Sequence, residues 1–151
     1  MPPQKIMVVD DERLVRWSLR QKCEEWGYAV MEADAGETAL RLAERDCPDL
    51  VLLDVRLADM TGIEVLDQLK KNGCGASVIM ITADPQLDDV KAALKLGAYD
   101  FVGKPIDFDG LQVSIQDALE AAGPRNDIDG PRKARSGAGY DNVVSVSPKM
   151  T

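Results

Sequence analysis

Four short apolar runs end on polar residues, and this pattern leaves few architectures open to the chain. Ile6 to Val9, Leu50 to Leu53, Val78 to Ile81 and Phe101 to Val102 have the length and the Val, Ile and Leu content of strands buried on both faces. Asp10-Asp11, Asp54, Thr82 and Lys104 stand where these runs end. In an open parallel sheet, ligands bind outside the carboxyl ends of the strands, where strand order reverses. Three carboxylates, one hydroxyl and one ammonium therefore converge on one cleft, a set suited to a divalent cation and a phosphoryl group.

The segments between the runs read as helices. Val15, Leu19, Cys23 and Trp26 fall at helical spacing, with Gly27 as a stop. Tyr28 to Glu32 reads as a second strand and Gly36 to Arg45 as a helix, and the third strand, Asp49 to Leu53, follows Pro48. A loop through Gly62 leads to a helix with Val65, Leu66 and Leu69 on one face, ended by Gly73-Cys74-Gly75. Pro85 suits the first turn of a helix reaching Leu96, and Gly97 caps it. After Lys104-Pro105, Leu111, Ile115, Ala118 and Ala122 form one helical stripe. Five alternations of strand and helix predict a doubly wound α/β sheet of five parallel strands, with helices on both faces. From Gly123 the pattern stops, and Gly123-Pro124, Gly130-Pro131 and Ser136 to Gly139 predict a flexible linker over 123–139 without coiled-coil heptads.

Composition excludes several classes. The 151 residues suit one domain and a tail. A net charge of −8 argues against direct contact of this segment with nucleic acid, which needs clustered Lys and Arg. No apolar run approaches the ~20 residues of a membrane span, and Met-Pro-Pro-Gln does not open a signal peptide, so a cytoplasmic location is expected. Cys23, Cys47 and Cys74 are widely spaced, odd in number and without any histidine, so they indicate neither a disulfide frame nor a zinc site. All three read as small buried apolar residues.

An aspartate can attack a phosphorus centre and hold the phosphoryl group as an acyl phosphate. Asp54, ending the third strand, is the natural nucleophile or metal ligand. Asp10 and Asp11 can bind Mg2+, which takes one or two carboxylates plus phosphate oxygens. Lys104 can balance charge, and Thr82 can donate a hydrogen bond to a phosphoryl oxygen. Each residue taken singly has a structural use: an acidic pair caps a helix, an Asp forms a turn, a Thr packs, a Lys is solvated. Their joint placement at four strand ends is what points to chemistry.

Val8-Val9-Asp10-Asp11-Glu12, Leu52-Leu53-Asp54-Val55-Arg56, Ile81-Thr82-Ala83 and Gly97-Ala98-Tyr99-Asp100-Phe101-Val102-Gly103-Lys104-Pro105 together resemble the receiver domain of two-component response regulators over about residues 4 to 122. The resemblance implies the flavodoxin-like strand order 2-1-3-4-5, with Asp54 as phosphoacceptor for a sensor histidine kinase. It implies Mg2+ contacts from Asp10, Asp11, Asp54 and the backbone carbonyl of Arg56. Thr82 and Phe101 match the switch pair that remodels the face of helix 4, strand 5 and helix 5. Lys104 matches the phosphoryl contact, and Lys104-Pro105 the cis peptide. Arg56 and Asp84 match positions that tune the lifetime of the phosphoryl group. The chain is thereby expected to be a regulatory domain rather than an enzyme, catalysing only its own phosphoryl transfer and dephosphorylation, and to form a homodimer. Ala58-Asp59-Met60-Thr61-Gly62 departs from the common Pro-Gly-x-Asp-Gly loop, keeping only Gly62.

Tyr140 to Met150 resembles the start of the AAA+ ATPase domain in activators of sigma-54, with Ser145 in place of a glycine. That resemblance implies that 140–151 opens a truncated domain and that downstream ATPase and DNA-binding domains are the receiver's partners. Other readings fare worse. A small Mg2+-dependent phosphatase needs a second acid-base carboxylate beside the nucleophile, which Val55-Arg56 does not supply. A flavodoxin-like cofactor binder needs a hydroxyl- and glycine-rich loop where Asp10-Asp11-Glu12 stands. A receiver-like interaction module independent of phosphorylation is the remaining alternative.

Overall fold

A computed structural model of the chain describes residues 3–122. The linker read over 123–139 and the ATPase-like segment 140–151 lie outside the described residues. Elements alternate as β1 (Lys5–Val9), α1 (Arg13–Glu25), β2 (Ala29–Ala33), α2 (Gly36–Arg45), β3 (Leu50–Asp54), α3 (Gly62–Lys71), β4 (Ser77–Thr82), α4 (Leu87–Lys95), β5 (Asp100–Gly103) and α5 (Phe108–Ala122). All strand pairs are parallel, in the order β2-β1-β3-β4-β5.

Alternation along the strands divides the core into two layers, because successive side chains point to opposite faces. Ile6, Val8, Leu50, Leu52, Ile79 and Ile81 meet α1 and α5 through Leu19, Cys23, Leu111, Ile115 and Ala118. Met7, Val9, Val51, Leu53, Val78 and Met80 meet α2, α3 and α4 through Ala39, Val65, Leu66, Leu69 and Ala93. Every residue of β3 is buried, which explains why it reads as an unbroken apolar run ending in one carboxylate.

Helix ends follow local chemistry. Gly27 and Gly97 take positive φ values of 98° and 101° just past α1 and α4, where only glycine is free of strain. Thr61 caps α3 by accepting from the Glu64 amide while Glu64 accepts from the Thr61 amide, a reciprocal box signalled by the Thr-x-x-Glu spacing. Pro85 lies outside α4 rather than in its first turn, since Gln86 is the N-cap and the helix begins at Leu87.

The cysteine reading needs a correction. Cys47 and Cys74 form a disulfide with a Cα–Cα separation of 5.8 Å, and only Cys23 is free and buried. The reason lies in the register of β3 and β4. Leu50 pairs with Ser77 and Leu53 with Met80, an offset of 27 residues throughout. Cys47 and Cys74 have the same offset, so they extend the strand pairing backwards by three positions. Adjacent strands lie about 4.8 Å apart, which brings the two loops within bonding reach. Wide spacing in sequence thus concealed adjacency in the sheet. Among the described residues no helix is long and apolar enough to cross a membrane.

Candidate functional site

The chain leaves β1 toward β2 on one side and β3 on the other, so the order reverses between β1 and β3, and the cleft opens there. Asp10 follows β1 and Asp54 ends β3. They are 1% and 6% exposed, whereas Asp11 is open to solvent. One carboxylate oxygen from each of Asp10, Asp11 and Asp54 lies within 4.8 Å of the others.

Lys104, just past β5, reaches across this cluster. Its Nζ is 3.1 Å from Asp10 Oδ2, 3.8 Å from Asp54 Oδ2 and 2.8 Å from Glu12 Oε1. Burial disfavours its ammonium, but the Glu12 and Asp10 contacts and the charges of Asp10 and Asp54 outweigh that and hold its pKa above the ordinary value. Lys104 is therefore a fixed cation in the cleft. The Lys104-Pro105 peptide is cis.

Asp54 is under opposite pressure. Burial, with the Asp10 charge second, pushes its carboxyl up to about 6, against the pull of Lys104 and a hydrogen bond from the Arg56 amide. Asp10 Oδ1 accepts from the Glu12 amide, yet Oδ2 is buried with no hydrogen-bond partner among the described residues. Its contact is the Lys104 ammonium, without hydrogen-bond geometry. That one ammonium is shared with Asp54 and Glu12, so the buried carboxylates keep a surplus of negative charge, which is costly away from water. An oxygen-liganded divalent cation offsets that surplus, and Mg2+, a small hard ion that takes carboxylate and phosphate oxygens, suits the three clustered carboxylates. The donor set fits the group.

Thr82 ends β4, 2% exposed, and its hydroxyl accepts from the Asp84 amide at 3.2 Å. Asp84 is exposed, and its carboxylate accepts from the Gln86 side chain. Phe101 is half-buried and packs against the α2, α3 and α4 layer. The fold thus gathers Asp10, Asp11, Asp54 and Lys104 tightly at the strand ends, sets Thr82 at the end of β4 and Arg56 on the loop after β3, and keeps Phe101 on β5, packed into one core layer.

Three supporting residues escaped sequence reasoning. Glu12 anchors Lys104 across a separation of 92 residues. Arg16 donates from Nη1 to the Asp10 carbonyl at 2.7 Å and from Nε to Glu32, tying α1 to the loop that bears the acidic pair. Asp59 accepts from the amides of Gly36 and Glu37 at 2.9 and 3.0 Å, so the loop after Asp54 caps α2 from outside. These bonds, from Glu37 first, hold the Asp59 carboxyl below its ordinary range. Only Arg16, one helical turn past Glu12, carries any local signal, since Glu12 and Asp59 act across the fold.

Asp59→Ala should speed amide exchange at Gly36 and Glu37 relative to the native chain. The contact is at full strength above the ordinary carboxylate range and is lost as pH falls through the lowered value, so native and variant rates should converge in acid. Equal rates at neutral pH would remove Asp59 from this role.

The class of protein follows from the comparisons. The response regulator receiver domain family matches residues 6–116, and the chain belongs to that family, a family of regulatory signalling domains. Regulatory protein AtoC of Escherichia coli K12 is 33% identical over 97% of the chain and 32% of its own length. Transcriptional regulatory protein ZraR of the same strain is 36% identical over 96% of the chain and 32% of its own length. The chain spans about a third of the length of these curated relatives. Among solved structures, a CheY-like response regulator receiver domain protein from Methanospirillum hungatei is 30% identical with a TM-score of 0.76, covering 78% of this chain and 94% of its own.

Proposed function

We propose that this domain is a switch set by phosphorylation of Asp54. The observation that carries the reading is the buried pair Asp10 and Asp54 held against Lys104, with Asp10 Oδ2 lacking a hydrogen bond. Asp54 Oδ attacks the phosphorus of a phosphohistidine on a sensor histidine kinase. The P–N bond breaks, its electron pair stays on the imidazole, and an acyl phosphate forms. Mg2+, held by Asp10, Asp11, Asp54 and the Arg56 carbonyl, would supply charge neutralisation for the incoming phosphoryl oxygens. Lys104, already fixed in the cleft, pairs with one of those oxygens. The Thr82 hydroxyl turns from accepting at Asp84 to donating to another.

Contacts made only with the phosphoryl group bias a two-state equilibrium. Thr82 and Phe101, on adjacent strands β4 and β5, form the switch, and Arg56 and Asp84, exposed at the rim, tune water access and hence lifetime. The output face gathers at the β5 edge, where Leu87 and Leu94 of α4, Tyr99 beside β5 and Val113 of α5 are exposed. That face serves a homodimer or the following domains, which, from the likeness of Tyr140 to Met150, are an ATPase and DNA-binding apparatus for sigma-54-dependent transcription. The protein acts in the cytoplasm.

Intact mass after incubation with acetyl phosphate tests this. A gain of about 80 Da that requires Mg2+ is expected. No gain in a folded chain would leave an interaction module independent of phosphorylation.

A further inference from the structure

Beyond the opposite end of β3 from Asp54, with the strand of about 13 Å between them, lies a second reactive pair. Cys47 and Cys74 are joined to each other and both are half-buried. They line an open cavity of about 190 Å3 with Leu40, Leu69, Asn72 and Gly73. That opening is the side from which a thiolate would approach. The bond closes a ring over a separation of 27 residues that contains all of β3 with Asp54 at its end, the loop bearing Arg56 and Asp59, and all of α3. Cys74 sits between Gly73, at φ 81°, and Gly75, a turn able to relax when the bond opens.

We propose that Cys47 and Cys74 form a reversible thiol–disulfide site, opened by a dithiol reductant and closed by a disulfide oxidant, whose closed form clamps the β3–α3 unit. The exchange balances. A reductant thiolate attacks one cysteine sulfur, the S–S bond breaks, and the other sulfur leaves as a thiolate. The reductant's second thiolate then displaces the first cysteine, so two electrons and two protons pass to the pair and the reductant becomes a disulfide. Closure is the reverse, with a small or protein disulfide accepting the electrons. Cross-linking the two ends removes conformations from any locally opened state, and the restriction is large for a ring of this length. In a reducing compartment, such a pair is more often transient and sensing than permanent. Cys23 stands apart, because burial pushes its thiol up to about 12 and leaves little thiolate to compete. The clamped unit carries Asp54, and the exchange needs no phosphoryl group on Asp54.

The full chain, equilibrated in buffers of increasing reduced-to-oxidised dithiothreitol ratio, is trapped by alkylation under denaturing conditions and weighed. One labelled thiol is expected in the closed form and three in the open form, with the same midpoint approached from either side. Amide exchange over residues 50–72 should be at least about threefold faster in the open form, with α5 unchanged. Cys47→Ser and Cys74→Ser should exchange like the open form in every buffer. A bond that persists at the highest ratio, a reduced chain that does not reclose it, or equal exchange in the two native forms would each overturn the proposal.

Discussion

Asp54→Asn should abolish the phosphoryl gain and, with a chelator present at pH 7, make the domain more stable. Both effects have one origin. The native carboxylate is 6% exposed, lies beside Asp10, and titrates near 6 where an unfolded aspartate titrates at 3.8. A raised pKa means that the folded state binds the proton more tightly, so the carboxyl favours folding below the unfolded value, and that advantage is lost as pH rises through about 6. At pH 7 the full penalty of the buried charge is present, up to about 3 kcal/mol. Asn keeps the shape and can still accept from the Arg56 amide, but carries no charge and is a poor nucleophile. Urea unfolding should show the variant's advantage fall to about half at pH 5 and disappear below about pH 4. A variant no more stable at pH 7 would mean that Lys104 already neutralises Asp54, and a persisting mass gain would place the phosphoacceptor elsewhere.

This instability frames the site as a charge imbalance held in place by the fold. Two buried carboxylates face one ammonium, and Glu12 draws on the same ammonium at 2.8 Å. The surplus negative charge disfavours the cleft at rest, and a cation entering it relieves that strain. Addition of Mg2+ in place of the chelator should therefore stabilise the native domain more than Asp54→Asn, because the variant has one carboxylate fewer to offer.

Much of this was legible in the sequence because it depends on short-range pattern. The runs Ile6 to Val9, Leu50 to Leu53 and Val78 to Ile81 carry no polar residue, since both faces of their strands are covered, and the end of each run marks the cleft. Gly36 to Arg45 was readable to the residue from its apolar spacing. What escaped was set by register and loop conformation. Cys47 and Cys74 meet only because β3 and β4 pair with an offset of 27 residues, a quantity no local pattern states. Asp59 stands in a loop that departs from the family's usual sequence, and its partners are two amides on α2. Glu12 reads as the third member of an acidic run, and its role appears only once β5 brings Lys104 beside it.

The residue retained from that loop, Gly62, carries the second large effect. Gly62→Ala should cost about 3 kcal/mol of stability and lower the rate of phosphoryl gain by about a hundredfold. A Cβ at Gly62 would lie 2.2 Å from the Asp54 carbonyl oxygen and 2.9 Å from Val55 Cα, both backbone atoms that no rotamer change can move aside. The Gly62 amide also donates to the Val55 carbonyl at 2.6 Å, and Arg56 bridges to Thr61, so the loop folds tightly back on the strand end. Making room for a methyl group displaces the backbone that aims the Asp54 carboxylate and the Arg56 carbonyl. Gly27→Ala is the matched control. Its φ of +98° imposes strain of about 1 kcal/mol, but nothing lies within 4 Å of the added carbon and the site is untouched. Urea midpoints should therefore fall for both variants and further for Gly62→Ala, while acetyl phosphate labelling should fall for Gly62→Ala alone. Equal labelling rates in the two variants would show that the loop after Asp54 does not position the reacting carboxylate, and that Gly62 serves packing only.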